Sequence, residues 1–219
     1  MWTDDEFPAD PYPGAVPPTS FVHVDRTSYP LDEFGPLPAV ERFPVLAYGS
    51  NRCPSKITWL RTELGLGPEP VVVLRVRTIG VAAVWAAGLR RRDGQRPAVL
   101  AAAPGVVEEH AVWLATAAQI AVLDVCEGRD ERFRLARLRT GEVRTGDGTL
   151  IAAPYCYLGH ATTRRPLVVD GRPVRCSTVP QAVALTLRGE PADGDGLDAD
   201  TVVGAPASTP DPADRGTPH

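Results

Sequence analysis

The run Pro70-Val-Val-Val-Leu-Arg-Val-Arg-Thr-Ile-Gly-Val-Ala-Ala-Val-Trp85 constrains the fold more than any other stretch of this chain. It is rich in β-branched residues, and Leu74-Arg-Val-Arg-Thr-Ile79 alternates apolar with polar side chains. That is the period of a pleated strand with one buried face. The run reads as one long strand, or as two short ones bent at Gly80, where a missing Cβ tolerates a bulge. A sheet is therefore the frame.

Other segments supply its partners. Val45–Tyr48 is a short apolar strand. Ala98–Ala102 and His110–Leu114 read as two strands separated by a turn at Pro104-Gly105, and Phe133–Leu138 alternates cleanly. A hairpin-like turn over Glu142–Gly148 leads into a returning strand at Leu150–Leu158. Three helices are expected between them. One runs from Pro54 to Leu64, with Pro in the first turn, where a missing N–H is harmless, and Gly65 or Gly67 at its end. A second follows Thr116 as N-cap through Ala117–Val125, with Gly128 placed to cap it. The third covers Thr178–Leu187. The fold class is α+β: a small mixed β-barrel or curled sheet, mostly antiparallel, with flanking helices.

Charge and proline divide the 219 residues into three parts. Residues 1–40 and 189–219 each carry a balance of −6, and the body between them is +8, within a total of −4. Pro8, Pro11, Pro13, Pro17, Pro18, Pro30, Pro36 and Pro38 crowd the first part. Such a segment is expected to be an extended or disordered arm, with aromatics that allow part of it to lie along the body. The expected organisation is an arm over 1–40, a folded domain over 41–188 and a disordered tail over 189–219. A basic body between acidic arms can attract anions, but the arginines are scattered and no aromatic-basic motif accompanies them, which disfavours nucleic acid as a partner. Cys53, Cys126, Cys156 and Cys176 form no C-x-x-C pair and have no histidine at metal-ligand spacing. The acidic N-terminus does not resemble a secretory signal, and no apolar run nears the ~20 residues that span a bilayer. The expected setting is cytoplasmic, with reduced thiols and no membrane partner.

Phe43-Pro-Val-Leu-Ala-Tyr-Gly-Ser-Asn-Arg52 is the first candidate site. A strand ending in Gly49-Ser50-Asn51 and entering a helix directs several backbone N–H groups into one small space, suited to a carboxylate or a polarised carbonyl. Ser50 does not complete a G-x-S-x-G elbow, because Arg52 occupies the place of the second glycine. The turn also lacks the glycine and lysine spacing of a phosphate loop. Glu127 is the second candidate. It closes an apolar helix beside Cys126, where partial burial and the negative helix end both raise a carboxyl pKa toward a range useful for proton transfer.

Ala47-Tyr-Gly-Ser-Asn51, followed some 75 residues later by Leu123-Asp-Val-Cys-Glu-Gly128, resembles the gamma-glutamylcyclotransferase-like family. The stretch His110–Ile120, Phe133-Arg134 and Tyr155-Cys-Tyr-Leu158 extend the resemblance over roughly 43–187. It implies a cofactor-free enzyme, of lyase or acyltransferase type, acting on a small γ-glutamyl compound. The α-amine attacks the γ-carbonyl, releasing 5-oxoproline and an amine or amino acid. Glu127 then matches the acid/base, Tyr48, Gly49, Ser50, Asn51 and Arg52 the substrate loop, and Tyr157 a pocket tyrosine. Arg52 departs from the family pattern, where an apolar residue is common, and is expected at the pocket mouth. Phe133 stands where Tyr is frequent. The alternative is a non-catalytic module of the same fold that binds a small carboxylate-bearing ligand.

Overall fold

The structure is a computed structural model that describes residues 1–206. Its strands are β1 (Trp2–Thr3), β2 (Phe21–Val24), β3 (Thr27–Pro30), β4 (Phe43–Ala47), β5 (Val71–Trp85), β6 (Ala98–Ala115), β7 (Phe133–Leu138), β8 (Glu142–Thr145), β9 (Tyr155–Gly159), β10 (Leu167–Val169), β11 (Arg172–Pro173), β12 (Glu190–Pro191) and β13 (Ala199–Thr201). Among the described residues three α-helices accompany them: α1 (Pro54–Leu64), α2 (Ala117–Glu127) and α3 (Gln181–Ala184).

The long β-branched run is a single strand, β5, whose register against β6 shifts between Ile79 and Val81. Gly80 sits there at φ +85°, a left-handed conformation that costs glycine little. The large sheet runs β1-β3-β2-β5-β6-β4-β9-β7-β13, with β8 pairing on β5. All pairs are antiparallel except β4 with β9. β10, β11 and β12 form a second, small sheet.

Alternation along the central strands decides which side chains face which layer. Val45, Ala111, Trp113, Leu135 and Tyr155 pack with Ile57 and Leu60 of α1 and Ile120 and Leu123 of α2. Their neighbours Leu46, Val112, Ala136, Cys156 and Leu158 belong to a second cluster with Leu167, Val174 and Ala184, from the β10 to α3 region.

Several expectations need correction. Among the described residues the sheet curls but does not close into a barrel, because its path ends on two short strands, β1 and β13, that pair only inward. The N-terminal arm is not disordered. β2 pairs with β5 through Phe21↔Val73, Val22↔Val72 and His23↔Val71, and Phe21, Val22 and His23 are buried. Net acidity and proline content concealed a few apolar residues placed well enough to complete a sheet edge.

The C-terminal segment is likewise structured over its described part, where β13 pairs with β7 and Asp198 bonds Arg139. The expectation for 207–219 lies outside the described residues. Pro104-Gly105 does not break β6, which runs 18 residues. The third helix is only four residues long, and the strand after the 142–148 turn starts at Tyr155 rather than Leu150. Glu142–Thr145 is itself a strand, paired with β5.

Candidate functional site

Two stretches of chain, β4 through α1 and the later helix α2, bring the two sequence motifs together. β4 ends at Ala47, and Ser50–Arg52 forms a 3-10 turn that leads directly into α1. Pro54 opens α1, and Gly65 ends it at φ +69°. Trp113 on the neighbouring strand β6 donates its indole N–H to the Asn51 carbonyl at 2.7 Å, which pins the turn. Thr116 and Gln119 form a reciprocal capping box at the start of α2. At its other end Gly128 adopts φ +63°, and a Cβ there would also collide with the Arg132 guanidinium. Arg132 uses that space to donate to the Glu127 and Cys126 carbonyls at 3.1 and 3.0 Å. It thereby caps the helix end that carries Glu127.

The side chains meet across a gap of 76 residues. Asn51 Nδ2 donates to Glu127 Oε1 at 2.7 Å. Tyr48 donates to the Tyr157 carbonyl, and Tyr157 donates to Asp124 Oδ1 at 2.7 Å. Asp124 pairs in turn with Arg129 at 3.0 Å. Burial raises both phenols well above their ordinary pKa, so both stay protonated as donors. Burial also raises the Glu127 carboxyl, while the Asn51 hydrogen bond and the charges of Lys56, Arg132 and Arg164 pull it back. A carboxyl held above its usual range next to a fixed amide donor can exchange a proton near neutral pH.

Both motifs border a cavity of about 740 Å³. Tyr48, Gly49, Ser50, Asn51, Glu127 and Tyr157 all line it, so the structure brings these six expected residues together. Phe133 also lines it. Arg52 is placed elsewhere: it donates to the Glu109 carbonyl at 3.0 Å and borders a separate, smaller cavity beside Pro17, Pro18 and His110. The 3-10 turn carries Asn51 and Arg52 in different directions, which sequence adjacency conceals.

Residues not anticipated from sequence complete the walls. Tyr12, from the N-terminal arm, accepts the Ala98 N–H at 2.9 Å and packs on Trp85 and under the Arg90 guanidinium. A Cβ on Gly49 would lie 2.8 Å from the Tyr12 oxygen, so the turn has no room for a side chain there. Lys56 lies over the Trp59 ring at 3.5 Å from its centroid. Arg90, Arg132 and Arg164 add positive charge. Lys56 follows the Gly-Ser-Asn turn at one helical turn's distance, a signal available in the sequence; nothing in the sequence marked Tyr12 or Arg164.

Among the described residues no group of three or more His, Cys, Asp or Glu side chains is placed to hold a metal ion, and no helix is long and apolar enough to cross a membrane. All four cysteines are free thiols. The architecture defines the class: a mixed α+β protein with a curled, mostly antiparallel sheet and a cavity where β4 meets the end of α2. Among solved structures the chain is similar to a gamma-glutamyl cyclotransferase and to an uncharacterised protein from Homo sapiens. Each match has 19% identity and a TM-score of 0.45, over 55% of this chain and 68% of the other. No family model and no curated protein matches the chain.

Proposed function

We propose that this protein is an enzyme that cleaves a γ-glutamyl amide by intramolecular attack of the substrate's α-amine on its γ-carbonyl. The observation that carries the reading is the Asn51–Glu127 hydrogen bond inside the cavity, which joins the two sequence motifs into one site. Glu127 takes a proton from the α-ammonium, freeing the nitrogen lone pair. The new C–N bond closes a five-membered ring as the amide C–N bond breaks. Glu127 then returns that proton to the departing nitrogen, so one carboxyl group is base and then acid. The second proton, which the ring nitrogen sheds as it becomes the lactam N–H, also passes to the departing amine, and 5-oxoproline and an ammonium leave. Asn51 holds the carboxyl oxygen in place through both transfers. Tyr48, Gly49, Ser50 and Tyr157 shape the pocket around the folded glutamyl chain. Because the reaction is intramolecular, holding that folded pose supplies much of the rate.

The test is a panel of γ-glutamyl amino acids and amines assayed for 5-oxoproline, with Glu127→Gln alongside. The reading predicts release by the wild type and near-complete loss in the variant. Equal release from both refutes Glu127 as the acid/base. Binding of a γ-glutamyl compound without turnover favours the non-catalytic module instead.

A further inference from the structure

The cavity's cations differ in what already occupies them. Arg132 donates to two carbonyls at the end of α2, and Arg90 pairs with Asp93 at 2.6 Å. Arg96, buried nearby, donates to the Ala184, Ala86 and Ala87 carbonyls. Arg164 has no such set. It ends the 3-10 turn Thr162–Arg164 after β9, is only 7% exposed, and lines the same cavity as Glu127. Its one hydrogen bond among the described residues is from Nη1 to the carbonyl of its own neighbour Thr163, at 3.2 Å. Its buried Nε has no partner, and among the described residues no carboxylate comes within 4.0 Å of it.

A guanidinium does not deprotonate to escape burial. A buried charge without a counter-charge is costly and calls for an anion. The surroundings sharpen the demand: Arg132 and Arg90 add like charge around Arg164, and Glu127 is the acid that offsets it. The wall is held rigidly, because Ala87 N and Gly88 N bond the Arg165 and Thr163 carbonyls at 2.8 and 3.0 Å. A Cβ at Gly88 would strike Thr163 at 2.5 Å, so the two loops approach as closely as glycine allows. Arg164 Cζ lies over the Phe133 ring at 5.9 Å from its centroid, so the guanidinium face is held while N–H donors beyond the Thr163 bond are left for the space next to Glu127.

We propose that Arg164 is an anion anchor of this cavity and binds a carboxylate of the substrate. The proposal rests on the γ-glutamyl reading above. The carboxylate belongs either to the glutamyl α-carbon or to the departing amino acid, and both present the same planar anion to the guanidinium.

The test compares wild type, Arg164→Met and Arg164→Lys on a γ-glutamyl amino acid and on γ-glutamyl methylamide, whose departing amine has no carboxylate. Arg164→Met should raise KM roughly 10- to 100-fold, the range of a lost charge-assisted contact, with kcat within a few-fold. Arg164→Lys should recover part of the loss. A rise for both substrates assigns the α-carboxylate, and a rise for the amino acid conjugate alone assigns the departing group. Unchanged KM for both, in a folded Arg164→Met, overturns the anchor. Should Arg164→Met fail to fold, Arg164→Lys carries the test, and wild-type KM in that variant overturns it.

Calorimetry with glutarate, a plain dicarboxylate that cannot turn over, separates this proposal from the reaction. Binding by the wild type that weakens at least tenfold in Arg164→Met supports the anchor even where no γ-glutamyl compound reacts. Equal binding by both proteins, or no binding by either, overturns it.

Discussion

Asn51 Nδ2 donates to Glu127 Oε1 at 2.7 Å, linking the turn after β4 to the last residue of α2. On the proposed reading Glu127→Gln lowers kcat about 10²- to 10⁴-fold, the usual contribution of a general acid/base. Asn51→Ala acts differently. The Asn51 bond favours the charged carboxylate, so its removal raises the Glu127 pKa further and shifts the acidic limb of the kcat profile to higher pH. A pH–rate profile of Asn51→Ala checks the direction of that shift.

Gly49 and Tyr12 couple the turn to the N-terminal arm. Gly49→Ala places a methyl group 2.8 Å from the Tyr12 oxygen and should cost about 1–3 kcal/mol of stability. Tyr12→Phe removes the acceptor of the Ala98 N–H and should cost about 1–3 kcal/mol by itself. In the double variant the next ring atom lies 3.8 Å away, an ordinary contact, so the two costs should not add. A double-mutant cycle by urea unfolding should give a favourable coupling of about 0.5–3 kcal/mol.

Phe21 reports whether the arm is part of the fold. It is 1% exposed and faces Val73 across the β2–β5 pair. Phe21→Ala should cost about 3–5 kcal/mol. A change below about 0.5 kcal/mol, typical of exposed positions, would mean that the arm is undocked in solution.

His23 should make the protein acid-sensitive. Its ring is fully buried, Nε2 lies 3.1 Å from Thr58 Oγ1 and 3.6 Å from Asp4, and its pKa falls from 6.5 to about 4. Burial is the main cause, with Arg61 adding to it and Asp4 and Asp25 opposing. A depressed folded-state pKa means that the unfolded chain binds the proton more readily. The contribution is therefore whole above pH 6.5 and lost as pH falls toward 4, about 3 kcal/mol in all. Urea unfolding across that range should show the decline, and His23→Asn should flatten it.

How far the chain could be read depended on the range of the interactions involved. β5, α1, the Thr116 cap of α2, β7 and the Gly128 stop all follow from local periodicity and capping, and each lies where the residues put it. The pairing of Gly49–Asn51 with Glu127 was not in the local pattern of either motif; it was expected only because the two together resemble a known family.

Local pattern failed where a contact between distant segments outweighed it. Proline and acid content pointed to a free arm, yet the buried faces of Phe21, Val22 and His23 complete a sheet edge against Val71–Val73. Pro104-Gly105 looked like a turn, but pairing with β5 on both sides of the Gly80 bulge carries β6 through it.

The sequence by itself determined the α+β elements and the glycine stops, and marked the turn and Glu127 as separate candidates that a family resemblance joined. Only the tertiary structure decided that Arg52 leaves the cavity, that Tyr12 enters it from the arm and that Arg164 lies buried beside Glu127. Side-chain direction out of a 3-10 turn, and contacts between segments tens of residues apart, are set by packing across layers. No local periodicity encodes them.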